Sequence, residues 1–358
     1  MMYLCDFDAV DHVLVMSFPH AYSAHVGVSR ASADADDHVA NVSSTAPGCL
    51  EDMDDSVLAL QHAYAPRNVF TGRPLLKFEK DNAMRDFYPL IKAMEFRKFC
   101  LFIANSEGLS IVVDDESYQQ AVTRIQADNF KEWYIKPDVD EWYIKPDVDV
   151  VEFRILISDL LESLTVFGRD DPTSIVCTYP FEGAEVVFEK RKEHVYVTFE
   201  VKTHFLSTKL DFGFSDEDVE CRIMVNLKPD IIHDIIKDLD KSAQTVLLKI
   251  TNDSLQFSTS GELGKIKVAI PITSEIIDEL TLAGHDIALR YKISLMQRMV
   301  QALHSCDRVS IRIDTRGVFC AQFIASQMNM MNNYIEYFIV PDAGTSSSDE
   351  ADDIDVNE

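Results

Sequence analysis

Apolar residues recur along the chain at two periods, and the change from one period to the other marks the predicted elements. In 81–96 and 229–241 they lie three and four positions apart, which predicts an amphipathic helix in each segment. Pro89 is expected to kink the first helix or delay its start, because proline cannot donate a backbone hydrogen bond. Each helix precedes two alternating runs around a polar turn, CLFIANSEGLSIVVDD and VLLKITNDSLQFSTSG, which predict β-hairpins.

The same order of elements occurs twice, which indicates an internal repeat. After the first hairpin of each half a strand runs directly into a second helix, from Phe153 in one half and from Tyr291 in the other. A further hairpin follows each of these helices, SIVCTYPFEGAEVVFE and VSIRIDTRGVFCAQFI. Because both helices of a half carry one apolar stripe, both are predicted to pack on the same face of a curved antiparallel sheet.

The two halves differ in length at one place. The stretch from Leu109 to Phe153 is longer than the equivalent stretch from Leu255 to Tyr291, and the two nearly agree in length when one copy of the segment EWYIKPDVD is removed. That segment occurs twice in immediate succession within 132–149. One copy is therefore predicted to be an insertion in a hairpin loop, where extra residues cost little stability.

The predicted fold class is α+β, with two tandem domains of two helices and about eight short strands each. The domains are placed at 77–203 and 219–341, and the segment 204–218 is predicted to be an extended connector. Residues 1–76 have no sustained period and many Ser, Ala and Asp residues, and the tail 342–358 is acidic. Both ends are therefore predicted to be disordered.

The charge of the chain limits the ways in which it binds nucleic acid. The formal net charge is −27. A chain this acidic does not attract DNA as a whole, so DNA contacts require basic residues gathered on one surface. No apolar run is long enough to cross a membrane, and the acidic start of the chain argues against a signal peptide or a mitochondrial presequence.

The spacing of cysteines and histidines argues against a metal site, and no cofactor is predicted. The seven cysteines include no C-x-x-C pair, and several lie in apolar runs, as Cys100 and Cys320 do. This usage is typical of reduced, buried thiols in the cytosol or nucleus. No H-E-x-x-H motif and no Walker-type phosphate loop occurs, so ATP use is expected to come from another protein.

An ordered set of segments between about 77 and 341 resembles the sliding-clamp family, and within it the Rad-one type of checkpoint subunit. DNAMRDFYPLIKAMEFRKFCLFIANSEGLSIVVDDE is similar to the family's opening helix and hairpin, FRILISDLLESLTVFG to its second helix, and KLDFGF to its connector. RYKISLMQRMVQAL, VSIRIDTRGVF and YIEYFIVPD resemble its last helix, penultimate hairpin and terminal strand.

The resemblance implies the DNA sliding-clamp fold, a ring around duplex DNA with helices lining the hole and sheets outside. It implies a non-catalytic subunit that forms a heterotrimer with two paralogous subunits, of the Rad-nine and Hus-one types, in the nucleus. An ATP-dependent clamp loader would place this ring on double-stranded DNA at damage sites. There the ring would support DNA damage checkpoint signalling and DNA repair by binding repair and checkpoint proteins.

Two alternatives come from other function classes. A 3′–5′ DNA exonuclease needs several carboxylates that converge on metal ions, and the best local candidates are Asp114, Asp115 and Glu116. Because they follow a strand in a polar segment, the sequence favours a solvated turn, and no catalytic residue is predicted. The other alternative is a structural scaffold without a DNA role.

Basic residues on the helices are predicted to contact DNA: Arg85, Lys92, Lys228, Lys237, Lys241 and Arg298. By family resemblance, ring closure is predicted to use the edges of the strands at 194–202 and 264–271. Their alternating apolar residues are Val195, Val197, Phe199, Val201, Ile266, Val268 and Ile270. A groove for partner peptides is predicted at Leu210, Phe212, Phe214, Phe338 and Pro341. The alternative for the groove is that these aromatic residues only pin the connector to the sheet.

Overall fold

The computed structural model describes residues 15–17, 23–28, 72–115, 117–136, 150–166, 174–192, 195–206, 210–226, 231–262, 264–303, 306, 308–324 and 334–342. At 15–17, 23–28, 191–192, 195–196 and 231 only the backbone is described. The strands in this part of the chain are β1 Val15–Ser17, β2 Ser23–Val28, β3 Leu76–Lys80, β4 Phe99–Asn105, β5 Gly108–Asp115, β6 Gln119–Gln126, β7 Glu132–Ile135, β8 Val151–Leu156, β9 Ser174–Tyr179, β10 Val186–Lys192, β11 Val195–Val201, β12 Val219–Asn226, β13 Thr245–Ile250, β14 Ser254–Gly261, β15 Gly264–Pro271, β16 Ile277–Leu282, β17 Ile287–Lys292, β18 Arg308–Asp314, β19 Phe319–Ile324 and β20 Tyr334–Ile339. The α-helices there are α1 Ala83–Asp86, α2 Tyr88–Ala93, α3 Ile157–Thr165, α4 Ile231–Asp238, α5 Ile293–Arg298 and α6 Val300–Leu303.

The predicted internal repeat is visible in the order of the strands. The first half contains the runs β11-β10-β9-β3-β7 and β6-β5-β4-β8, and the second contains β20-β19-β18-β12-β16 and β15-β14-β13-β17. Each strand of the first half therefore has an equivalent in the second, nine positions later in strand number. All the described pairings are antiparallel, and β6 with β20 joins the halves into one nine-stranded sheet.

Two of the four predicted helices are divided. The helix predicted over 81–96 forms as α1 and α2, which meet at Phe87, and Pro89 lies in the first turn of α2. Proline is tolerated there because its missing N–H has no partner in a first turn, so the predicted effect of Pro89 is confirmed. The last helix is divided at Met299 between α5 and α6. None of the described helices is long and apolar enough to cross a membrane.

The core lies between the helices and the inner faces of the sheets. Strand β4 shows why, because buried and half-buried residues alternate along it, and the same alternation occurs in its equivalent β13. The thiols of Cys100, Cys177, Cys221 and Cys320 are free and buried, as predicted. Burial raises the pKa of Cys100 and of Cys320 to about 12, so both are protonated at neutral pH.

The tandem duplication begins inside the sheet. β7 is the start of the first EWYIKPDVD copy and pairs with β3, as its equivalent β16 pairs with β12. The second copy, 141–149, falls between β7 and β8, outside the described residues. In the second half only 283–286 separate the equivalent strands β16 and β17. The extra residues therefore lie between β7 of one sheet and β8 of another, rather than in the predicted hairpin loop.

The start of the chain departs from the prediction. Disorder was expected throughout 1–76, but β1 and β2 lie in this stretch, and β3 begins at Leu76 rather than after the predicted boundary. β2 pairs with β11, from Val195 opposite Val28 to Phe199 opposite Ala24. The edge of the strand at 194–202 was predicted to be free for a neighbouring subunit, but in this structure β2 already pairs along that edge.

Candidate functional site

The joint between the halves shows how this fold connects two sheet edges. β6 and β20 pair antiparallel over six residues. Arg124 reinforces the pairing, because its Nη1 lies 3.2 Å from Glu336 Oε2 and donates to Tyr334 Oη at 3.0 Å. Thr123 Oγ1 donates to the Tyr334 carbonyl at 3.1 Å. Backbone pairing thus sets the register, and side chains on both faces secure it.

β15 is the second-half equivalent of β6, and in the described part of the chain it pairs only with β14. Lys265 and Lys267 are exposed, Ile266 and Val268 are half-buried, and only Ile270 is in the core. An edge strand carries unpaired N–H and C=O groups that a partner strand satisfies. β15 is therefore the outer strand of its four-stranded sheet in the described part of the chain, and its role in ring closure stays a prediction.

β11 is the first-half equivalent of β20. Val197, Phe199 and Val201 point into the hydrophobic core, with exposed fractions of 0%, 6% and 0%. These predicted interface side chains therefore hold the strand in place, while the backbone of β11 pairs with β10 on one side and with β2 on the other. For Val195 only the backbone is described, and it pairs with both Lys192 and Val28.

The helices form one layer, in which α2 contacts α3 and α6, and α6 contacts α4. In the first half the predicted DNA-contacting cations already have carboxylate partners. Arg85 Nε donates to Asp86 Oδ1 at 2.7 Å, and Lys92 is paired with Glu95. A phosphate that bound there would compete with these carboxylates.

In the second half the cations are less engaged. Lys237 and Lys241 are exposed, and neither has a carboxylate within ion-pairing distance in the described part of the chain. Lys228 lies outside the described residues. Arg298 differs, because it is paired with the buried Asp115 of β5, donates to Gln119 Oε1 at 3.0 Å and has its guanidinium 5.3 Å from the Phe96 ring centre.

Arg298 thus connects α5 of the second half to the first half, and burial lowers its pKa from the usual value. Asp115 is also paired with Arg97, so one buried carboxylate holds two guanidinium groups. This placement departs from the solvated turn predicted for Asp114 and Asp115. Among the described residues no group of three or more His, Cys, Asp or Glu side chains is placed to hold a metal ion. Glu116 lies outside them.

The predicted partner groove is a cleft of about 420 Å³ whose lining includes Leu210, Phe212, Arg316 and Pro341. Phe338 lies beneath it, with ring centres 6.2 Å from Phe212 and 5.5 Å from Phe214. The connector is also tied by its backbone, since Gln120 Nε2 donates to the Leu210 carbonyl at 2.7 Å. Phe214 and Phe338 therefore pin the connector to the sheet, whereas Leu210, Phe212 and Pro341 face the cleft.

Sequence reasoning missed an ionic cluster under the end of the connector, in which Arg312 and Glu336 are buried and Asp216 is exposed. Arg312 Nη2 donates to Glu336 Oε1 at 2.6 Å, and its Nη1 donates to Asp216 Oδ1 at 2.6 Å. Burial alone would lower the pKa of Arg312, but Cys320, Asp216 and Glu336 raise it overall. The signal was present in the strands VSIRID and YIEYF, where a charge occupies an alternating position.

Comparison with known proteins then identifies the chain. Residues 78–325 match the family described as "Repair protein Rad1/Rec1/Rad17". The chain belongs to this Rad1 family. "Cell cycle checkpoint protein RAD1 homolog mrt-2" of Caenorhabditis elegans is 27% identical over 269 residues, 75% of this chain and 94% of that protein. "Cell cycle checkpoint protein RAD1" of Mus musculus is 25% identical over 265 residues, 72% of this chain and 90% of that protein.

The fold of this Rad1-family chain is similar to a solved clamp. The crystal structure of Proliferating Cellular Nuclear Antigen from Entamoeba histolytica superposes with a TM-score of 0.60 at 10% identity, covering 75% of this chain and 100% of that chain. The predicted family and the predicted sliding-clamp fold are both confirmed. β1 and β2 precede the residues that match the Rad1 family.

Proposed function

We propose that the chain is a non-catalytic subunit of a heterotrimeric DNA-damage checkpoint clamp. The joint between β6 and β20 carries this proposal. It connects two sheet edges within one chain, and β15 and β11 are the repeat equivalents of β6 and β20. Joints of the same kind between three related subunits would close a ring. The checkpoint names of the Rad1 relatives support the cellular role.

In this proposal the helix layer faces double-stranded DNA, and Lys237 and Lys241, which have no ion pair in the described part of the chain, contact its phosphates. Phosphate contacts can be weak, because a closed ring stays on DNA through its topology. The partners are two paralogous subunits, a clamp loader that supplies ATP hydrolysis, and repair and checkpoint proteins. The site of action is the nucleus.

The test is reconstitution with the two paralogous subunits of the same species. We expect an equimolar complex that a clamp loader places on closed circular DNA, and that slides off when the circle is cut. Failure to associate with either subunit, or retention that linearisation does not change, would contradict the proposal.

The same preparation tests the exonuclease alternative. We expect no degradation of 3′-ended DNA in Mg²⁺ or Mn²⁺, because Asp115 is held by Arg97 and Arg298 rather than by a metal site. Degradation that Asp114→Ala abolishes while the fold is intact would favour a nuclease instead.

A further inference from the structure

The edge of β11 is occupied by a strand of the same chain. β2 runs antiparallel to β11, with Ala24 opposite Phe199 and Val26 opposite Val197. β2 lies outside the residues that match the Rad1 family, so this contact is an addition to the shared fold. Only one strand at a time can pair with that edge.

The register of this contact matches the joint inside the chain. Val201 opposes Val186, the first residue of β10, and Ile339 opposes Phe319, the first residue of β19. The repeat therefore makes Val201 equivalent to Ile339.

By the same count Phe199 is equivalent to Tyr337, which opposes Ala121 of β6. Ala24 opposes Phe199, so β2 lies on β11 in the same direction and register as β6 lies on β20.

The sequence of β2 also resembles that of the strand that a neighbour would supply. The hairpins at β5–β6 and β14–β15 make Ala121 equivalent to Ile266, so Ala24 aligns with Ile266. SAHVGV then aligns with KIKVAI. Both carry apolar residues at the second, fourth and sixth positions, a basic residue or histidine at the third, and a small residue at the fifth.

We propose that β2 is an intrachain substitute for the neighbour's edge strand. It covers the edge of β11, and this edge accepts a neighbouring subunit only after β2 has left. A covered edge protects the free subunit from non-specific strand pairing. Because β2 belongs to the same chain as β11, it competes intramolecularly with a strand of a separate subunit. The competition rests on the proposed ring function, whereas the covering of β11 does not.

The covering is tested in the full chain by hydrogen exchange. We expect His25→Pro with Val26→Pro to accelerate exchange in β11 and to leave β15 unchanged, because proline removes backbone donors from β2. Ala40→Pro with Asn41→Pro, in the same stretch outside β2, is the matched control. Equal protection of β11 in both variants would overturn the proposal.

The competition is tested by binding of each variant to the two purified paralogous subunits. We expect the β2 variant to bind one of them about tenfold more tightly than the control, and the other with unchanged affinity. Faster exchange without tighter binding would overturn the competition. If neither subunit bound any variant, the proposed function and the competition would both fail, while the exchange result would still decide whether β2 covers β11.

Discussion

The two halves of the chain share one strand order, yet they present their outer edges differently. β15 of the second half pairs on one side only in the described part of the chain, whereas β11 of the first half is covered by β2. The first half also carries the duplicated segment, and its helix cations are paired with carboxylates of the same chain. The repeat therefore determines where the sheet edges lie. Local additions such as β2 determine whether an edge can pair with another strand.

The largest expected effect is at the joint that holds the halves together. Arg312→Ala should lower the free energy of unfolding by about 3 kcal/mol, because it leaves the buried Glu336 without its closest cation. The first half has Thr178 and Thr198 at the equivalent positions, so no such cost is expected there. Chemical denaturation measures the effect. Arg222→Ala, which removes an exposed partner of Asp216, is the control and should change stability by less than about 1 kcal/mol.

The next effect distinguishes the two edges directly. Lys267→Pro should keep a cooperative thermal transition and weaken association with one neighbouring subunit about tenfold or more, because β15 loses a backbone donor at an outer edge. Lys267→Ala keeps the backbone donor and serves as the control. Thr198→Pro should also loosen β2, so it affects the free chain as well. Unfolding of Lys267→Pro, or its normal assembly, would show that β15 is not a joint.

The third effect is expected at the connector, which lies against the strands of the second half. Phe212→Ala with Phe214→Ala should weaken the binding of client peptides about tenfold, because one ring lines the cleft and both pack on Phe338. Fluorescence anisotropy of labelled peptides measures this. Phe181→Ala, at an exposed turn of the first half, is the control. Unchanged binding would leave the pinning role as the whole function of these rings.

The helix layer gives a smaller contrast between the halves. Lys237→Glu with Lys241→Glu should lower the slope of log affinity against log salt by about one for each lost phosphate contact. Arg85→Gln with Lys92→Gln should lower it less, because both cations are already paired with Asp86 and Glu95. DNA binding of the assembled ring at several salt concentrations measures both slopes. Equal slopes in the two variants would remove the distinction between the halves.

The smallest effect is expected from removing the length difference. Deleting 141–149 should change the free energy of unfolding by less than about 1 kcal/mol, because it shortens a connection beyond β7. The two copies are identical, so deleting 132–140 gives the same protein, and the remaining copy supplies β7. Thermal denaturation measures the change. Loss of the cooperative transition would contradict the loop assignment.

Much of the fold was predictable because the repeat expresses one pattern twice. Alternation and helical spacing located all four hairpins and all four helix regions, and Pro89 marked the division of the first helix. The strands β1 and β2 were not predictable in this way. SAHVGV is short and lies in a polar stretch, and it gains a partner only when β11 is already folded beside it.

The candidate surfaces were predictable to a lesser degree. Periodicity shows which residues of β11 alternate, but Val197 and Phe199 face the core, and only the folded sheet shows which side is buried. The sequence shows a charged residue on a helix equally well whether or not its side chain forms an ion pair, so the pairing itself was not predictable. The partners of Arg298 and Arg312 lie far away in sequence, at Asp115 and Glu336, so their contacts depend on tertiary packing.

The continuous sheet across the two halves has a mechanical consequence. Bending the chain in its middle would break the six-residue pairing of β6 with β20, together with the Arg298–Asp115 contact on one face and the Arg124–Glu336 contact on the other. These contacts on both faces of the sheet oppose bending between the halves. In the proposed ring, we therefore expect the opening that admits a DNA duplex to form at a joint between subunits rather than within this chain.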